Sequence, residues 1–248
     1  MTFNRRSLIH GALAAPLLLG SVSAAAKQPF SGKGDWTQWF HNWLLKDFGM
    51  IGYYAEDNAK LRLLGHPANV VFLGDSITEG WFDKHPSYFV NGRVDRGIGG
   101  QTTPQMVLRM MSDVVDLKPK AVHIMAGTND IAGNTGPMTP KMTEDNFRVM
   151  SDIARANRIK VLIASIPPAG AFPWRPGLEV KQPIAELNRW LKNYTHSSGA
   201  TWVDYWPVLN DGTGAMKPGL AVDGVHPTVA GYQAMESVIT PILKRVLA

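Results

Sequence analysis

Two short stretches, Val70-Val71-Phe72-Leu73 and Val161-Leu162-Ile163-Ala164, are apolar at every position. A strand with one wet face alternates apolar and polar residues, whereas one that is apolar throughout is covered on both sides. The two runs therefore predict a parallel sheet with helices on each face. Strands are expected at 69–73, 93–96, 121–125, 160–165 and 201–204, and helices at about 104–115, 143–157, 183–197 and 228–246. Thr143 is placed to cap its helix, with Asn146 three residues on, and Thr103-Pro104 sets a proline at a first helical position. Strand and helix alternate throughout. This predicts a doubly wound α/β fold, a three-layer α/β/α sandwich on a mainly parallel, flavodoxin-like five-stranded sheet.

Apolar residues make up 45% of the chain and charged residues 18%, enough for a sizeable core and against disorder. No break in composition divides the 248 residues, so residues 27–248 read as a single domain. Cysteine is absent, which excludes disulfides, thiolate metal sites and a cysteine nucleophile. The net charge of +5 becomes +3 if Arg5 and Arg6 leave with a targeting segment. The remaining basic residues are scattered, so no nucleic-acid partner is expected.

The first 26 residues have the layout of a secretory signal. Arg5-Arg6 precede the apolar run Ala12 to Leu19, and Ser21 to Ala26 supply small residues for cleavage after Ala26. The paired arginines resemble a bacterial twin-arginine signal, which implies a periplasmic or secreted protein. The apolar run is too short to span a bilayer and contains Pro16, so a cleaved signal is favoured over an anchor, with no stable membrane insertion afterwards. Residues 27–67 are rich in aromatics. Trp36, Trp39, Phe40 and Trp43 recur at helical spacing and read as a helix laid over the domain by its aromatic face. A sugar-stacking platform is the sharper alternative.

Glycine and proline gather after the expected strands, in Gly97-Ile98-Gly99-Gly100, Gly127-Thr128-Asn129-Asp130 and Pro167-Pro168-Ala169-Gly170; Asp223-Gly224-Val225-His226-Pro227 opens the last helix. Val70 to Leu73 run into Gly74-Asp75-Ser76-Ile77, which lifts a serine to the carboxyl edge of the sheet. Four of these blocks, Gly74-Asp75-Ser76-Ile77, Gly97-Ile98-Gly99-Gly100, Gly127-Thr128-Asn129-Asp130 and Asp223-Gly224-Val225-His226, match in order and rough spacing those of the SGNH (GDSL-type) hydrolases. The resemblance covers roughly residues 69–235. Its Gly-x-Gly-Gly second block is similar to that of the platelet-activating-factor acetylhydrolase-like branch. It implies the SGNH hydrolase fold and a serine hydrolase acting on carboxylic esters, without cofactor or metal.

The residues support that chemistry on their own. A serine hydroxyl needs an adjacent base, which His226 can supply. Asp223, three residues earlier, can turn its carboxylate to the imidazole. Read singly, Asp223 is a turn acid before glycine and His226 a structural histidine before proline; together, beside the serine block, they read as a triad. The resemblance implies oxyanion donors at the Ser76 N–H, a second-block glycine N–H and the Asn129 amide. Gly100 is preferred by register, with Gly99 the neighbouring alternative. Asp75 and Asp130 read as structural acids that bond loop amides.

Gly97-Ile98-Gly99-Gly100 is not a dinucleotide fingerprint, and no phosphate loop, zinc helix or calcium loop occurs. His10, His41, His66, His85, His123 and His196 lack metal-ligand spacing. Trp81, Phe82, Phe172, Trp174 and Arg175 are the candidate pocket residues, with bulky aromatics suiting a short acyl group and Arg175 facing an anionic or hydroxyl-rich leaving group. Glycan O-acetyl esters are the expected substrate class. A lysophospholipase or thioesterase is the alternative within the resemblance; a non-catalytic envelope glycan-binding module is the alternative outside it.

Overall fold

A computed structural model describes residues 35–65 and 68–248. The signal segment 1–26, the start of the aromatic-rich stretch, His10 and His66 lie outside the described residues. Five strands, β1 (Val70–Gly74), β2 (Arg93–Gly97), β3 (Ala121–Met125), β4 (Lys160–Ala164) and β5 (Thr201–Val203), pair in parallel in the order β2-β1-β3-β4-β5. Every residue of β1 and β3 is buried, and so are Val161 to Ala164 of β4; the apolar runs of β1 and β4 require this. The order reverses between β1 and β3, and a crevice opens at the carboxyl end of such a switch point.

The helices are α1 (Trp36–Lys46), α2 (Ala55–Leu63), α3 (Ser76–Lys84), α4 (Thr103–Leu108), α5 (Met110–Asp113), α6 (Thr128–Ala132), α7 (Pro140–Ala156), α8 (Lys181–Ser198), α9 (Trp206–Leu209) and α10 (Val229–Leu247). α3 and α10 pack together on one face of the sheet, while α4, α7 and α8 form the layer on the other. The aromatic spacing of 36–43 does form a helix, and Phe40 buries its ring against the domain.

Local chemistry moves two expected features. Thr139, not Thr143, caps α7, accepting from the Met142 N–H, because Pro140 occupies the first turn. The Thr143 hydroxyl instead donates to Asp130 at 3.1 Å. The helix expected over 104–115 breaks at Arg109, whose fully buried guanidinium donates to the carbonyls of Gly74 (2.9 Å) and Arg96 (2.8 Å), to Gln101 Oε1 (2.6 Å) and to Asp113 (3.1 Å). α2 was not legible in the sequence, since Ala55–Leu63 has no apolar stripe. It is held by a polar anchor: buried Asn58 donates to Asp113 Oδ1 (2.6 Å) and accepts from Arg96 (2.7 and 2.9 Å).

Trp81, expected at the substrate pocket, is instead fully buried in the core. Its indole stacks between Tyr88 (5.4 Å) and Tyr232 (5.5 Å), and its N–H donates to Glu236 at 2.9 Å. It sits on α3 five residues beyond Ser76, and the helix turns it inward while Ser76 stays at the edge. Phe82, the next residue, is half-exposed and borders a different groove, against Arg93 and Tyr54. Trp81→Ala should cost about 3–5 kcal/mol of stability. Urea unfolding checks this, and a loss under about 1 kcal/mol would contradict the core assignment.

Candidate active site

Ser76 begins α3 directly after β1. Asp75 caps the helix, its carboxylate accepting from the Ile77 N–H at 2.9 Å. Gly74 has no room for a side chain, because a Cβ there would strike the Thr78 hydroxyl and lie 2.8 Å from the Met125 carbonyl oxygen. The strand-to-helix turn is thus packed tightly from behind, and the serine hydroxyl faces the cleft.

His226 comes from the loop before α10. That loop is tied by the Val222 N–H to the His226 carbonyl (2.9 Å), by Lys84 Nζ to the Pro227 carbonyl (2.8 Å) and by the Thr228 hydroxyl to the Gly219 carbonyl (2.8 Å). His226 Nε2 lies 2.9 Å from Ser76 Oγ, and its Nδ1 lies 2.7 Å from Asp223 Oδ2. Asp223 Oδ1 also accepts from the N–H groups of Val225 (3.0 Å) and His226 (2.8 Å). Partial burial acts to raise the Asp223 pKa, but the bonds from His226 and Val225 together outweigh it and hold the carboxyl below its ordinary range. A carboxylate at Nδ1 places the donor proton there and leaves Nε2 as the acceptor toward Ser76.

The second and third blocks meet beside the serine. The Gly99 N–H donates to Glu79 Oε2 at 2.9 Å, and the other oxygen of Glu79 accepts from the Tyr53 hydroxyl at 2.5 Å. Gly99 is therefore engaged, while no hydrogen bond among the described residues takes the N–H of Gly100. Gly100 has φ +78°, and a Cβ there would lie 2.9 Å from both Phe40 and Trp36. Only glycine lets α1 close on this loop. Asn129, buried on α6, donates through Nδ2 to the Gln101 carbonyl at 3.0 Å and accepts at Oδ1 from Asn134 Nδ2 at 2.8 Å. Asp130 accepts from the Thr103 N–H (3.0 Å) and from the hydroxyls of Thr103 and Thr143, fixing α6 against α4 and α7.

Ser76, His226, Gly99, Gly100, Asn129, Asn134, Trp36 and Trp174 line a cleft of about 310 Å³. Trp174 lies beside His226, ring centroids 5.9 Å apart, and Trp36 lies over Gly100. Each indole is backed by a buried phenylalanine: Trp36 stacks on Phe40 and Trp174 on Phe172, both at 5.0 Å. Phe172, expected in the pocket, is therefore the buried support of Trp174 rather than a lining residue. Arg175 does not face the cleft as expected: its guanidinium is spent on the carbonyls of Ala132 (2.5 Å) and Gly133 (3.5 Å) at the end of α6. Neither Trp36 nor Asn134 was among the candidate pocket residues; Trp36 entered only through the alternative of a sugar-stacking platform. The aromatic spacing of α1 was a signal for Trp36; Asn134, five residues beyond Asn129, carried none.

The GDSL-like Lipase/Acylhydrolase family model matches residues 72–234. A crystal structure of a GDSL-like lipase from Bacteroides thetaiotaomicron is 40% identical, covers 80% of this chain and 99% of its own, and superposes with a TM-score of 0.76. Esterase TesA of Pseudomonas aeruginosa is 26% identical over 187 residues, 71% of this chain and 83% of TesA. The uncharacterized lipoprotein YqeF of Bacillus subtilis is 41% identical over 95 residues, which span 32% of this chain and only 39% of YqeF.

Burial pushes the Asp75 carboxyl up to about 6, against the opposing bond from the Ile77 N–H. The folded state thus holds a proton that the unfolded chain releases near pH 4, and Asp75 lowers stability as pH rises from about 4 to 6. Asp75→Asn keeps the capping oxygen and removes this dependence. The stability of the variant relative to wild type should rise by up to about 3 kcal/mol across that window and then level off. Urea unfolding at several pH values measures it, and a difference that stays flat from pH 4 to 7 would overturn the assignment.

Proposed function

The chain belongs to the GDSL-like lipase/acylhydrolase family of carboxylic ester hydrolases, and from that premise we propose that it is a serine esterase for short acyl groups, working through an acyl-enzyme on Ser76. The observation that carries the reading is the unbroken line from Ser76 Oγ to His226 Nε2 (2.9 Å) and from Nδ1 to Asp223 (2.7 Å), with Ser76 and His226 lining the cleft. His226 takes the hydroxyl proton as Oγ bonds to the ester carbonyl carbon, and Asp223 stabilises the imidazolium. The carbonyl oxygen becomes an anion, received by the N–H groups of Ser76 and Gly100 and by Asn129 Nδ2. Collapse breaks the bond to the alcohol, which leaves with the proton from Nε2. Water then gives a proton to Nε2 as its oxygen bonds to the acyl carbon; the C–Oγ bond breaks, Oγ takes the proton back from Nε2, and the acid leaves with Ser76 and His226 restored.

The walls bear on the substrate. The leaving oxygen must approach Nε2, so Trp174, beside His226, borders the alcohol side. A fixed indole face there suits the apolar face of a sugar ring. Trp36 narrows the cleft over Gly100, which favours acetyl over longer chains. O-acetyl groups on carbohydrate are accordingly the proposed substrate class. Residues 1–26 are proposed as a cleaved twin-arginine-type signal, 27–248 as one hydrolase domain, and the periplasm or cell exterior as its place. Arg5-Arg6 with the small residues before Lys27 support export, as does the likeness to a protein named a lipoprotein. No helix among the described residues is long and apolar enough to cross a membrane.

Hydrolysis of p-nitrophenyl acetate, butyrate and octanoate by the purified protein tests the reading. Acetate should have the highest kcat/KM, and Ser76→Ala and His226→Ala should each lower kcat by roughly 10³–10⁶ with the fold retained. Wild-type rates no better than those of Ser76→Ala would end the esterase reading, and preference for octanoate would end the short-acyl one. In the same series, Trp36→Ala should raise the octanoate to acetate ratio by about 10-fold or more, a gain of the size a few buried methylenes supply. An unchanged ratio would remove Trp36 as the acyl wall.

A further inference from the structure

Asn134 joins three parts of the cleft. Its Oδ1 accepts from the Trp174 indole N–H at 3.3 Å, and its Nδ2 donates to Asn129 Oδ1 at 2.8 Å and to the Gly100 carbonyl at 3.3 Å. Asn129 Nδ2 then donates to the Gln101 carbonyl at 3.0 Å. The ends of this chain leave no choice of direction. An indole N–H can only donate and a carbonyl oxygen can only accept. Asn134 must turn its oxygen to Trp174 and its NH₂ to Gly100 and Asn129. Asn129 must then present its oxygen to Asn134 and its NH₂ to Gln101. One Nδ2 proton of Asn129 is used there, and the second is left for the cleft.

We infer that Asn134 is a positioning residue for the oxyanion hole: it sets the amide of Asn129 so that one N–H faces the developing oxyanion, and it clamps the Gly100 segment that carries a second donor. This rests on the esterase reading, in which Asn129 donates to the oxyanion. Without this partner only the bond to the Gln101 carbonyl opposes rotation of the Asn129 amide about its terminal bond, and a rotated amide offers an oxygen, which repels the anion. Asn134 is itself well held, following the left-handed Gly133, with its own N–H bonded to the Asn129 carbonyl at 3.1 Å. The same bonds link the Trp174 wall to the oxyanion donors, so the alcohol side and the anion side of the cleft share one hydrogen-bonded frame.

A double-mutant cycle on p-nitrophenyl acetate tests the inference. Asn134→Ala should lower kcat about 10-fold while KM stays within about 2-fold, because the loss falls on the transition state. Asn129→Ala should lower kcat by about 10²–10³. In the Asn129→Ala background, Asn134→Ala should lose most of its effect, since it then has no amide to orient. Asn134→Asp should be worse than Asn134→Ala, with kcat down about 100-fold, because a carboxylate can only accept and draws the Asn129 NH₂ away from the cleft. Asn134 is only partly buried, and thermal melts check that each variant folds. An equal fold-loss from Asn134→Ala in both backgrounds overturns the inference, as does wild-type kcat in Asn134→Ala or Asn134→Asp. If Asn129→Ala keeps full kcat while Ser76→Ala is inactive, the oxyanion role of Asn129 fails first and the inference falls with it.

Discussion

Parallel pairing sends every strand of this sheet to the same edge before the chain turns into a helix. A parallel strand cannot be joined to its neighbour by a tight turn; it needs a crossover, and the crossover leaves the carboxyl ends together. Here that rule brings Gly74-Asp75-Ser76 from β1, Gly97 to Gly100 from β2 and Gly127 to Asp130 from β3 to adjacent positions, at the point where the strand order reverses. α10 then packs beside α3, which carries the Asp223–His226 loop to the serine across 150 residues of sequence. The proposed chemistry depends on this geometry more than on any one contact.

A shared edge does not by itself give ångström-level placement. The loops are held there by buried and half-buried polar groups. Arg109 ties the last carbonyl of β1, Gly74, to the Arg96 carbonyl near the end of β2 and to Gln101, and its charge is balanced by Asp113. Glu79 joins the Gly99 N–H to Tyr53 in the segment between α1 and α2, so the aromatic N-terminal layer braces the second block as well as roofing the cleft. Asp130 pins α6 through Thr103 and Thr143. A buried ion pair is weak evidence for stability, because desolvation offsets the attraction. Here each of these groups fixes a loop that carries a residue of the site, and that is the more economical account of why such polar groups lie so deep.

Much of the candidate site was legible in the sequence. Ser76, Asn129, Asp223 and His226 stand in short blocks where strand, glycine and turn chemistry point the same way; Ser76, Asn129 and His226 line one cleft, and Asp223 bonds His226 from behind. The fold was legible for the same reason: all-apolar runs such as Val70 to Leu73 admit few arrangements. The walls were harder to read. Trp81 and Phe172 look like pocket residues because they are large, aromatic and near the blocks, yet Trp81 fills the core and Phe172 supports Trp174. Arg175 has the charge to meet a substrate, but the carbonyls of Ala132 and Gly133 at the end of α6 reach it first. Gly99 and Gly100 are chemically identical, and only the carboxylate of Glu79 separates the engaged N–H from the available one.

The sequence alone determined the layer architecture, the edge on which the blocks lie and the identity of the groups proposed as nucleophile, base and orienting acid. These follow from local periodicity and from chemical type, which a linear string carries in full. Tertiary structure decided which way each side chain turns and what it meets: Trp36 and Trp174 as walls, Trp81 as core, Asn134 between Asn129, Gly100 and the Trp174 indole. Those outcomes depend on partners tens of residues away, and on which donor or acceptor is already taken. Spacing along the chain does not encode that occupancy.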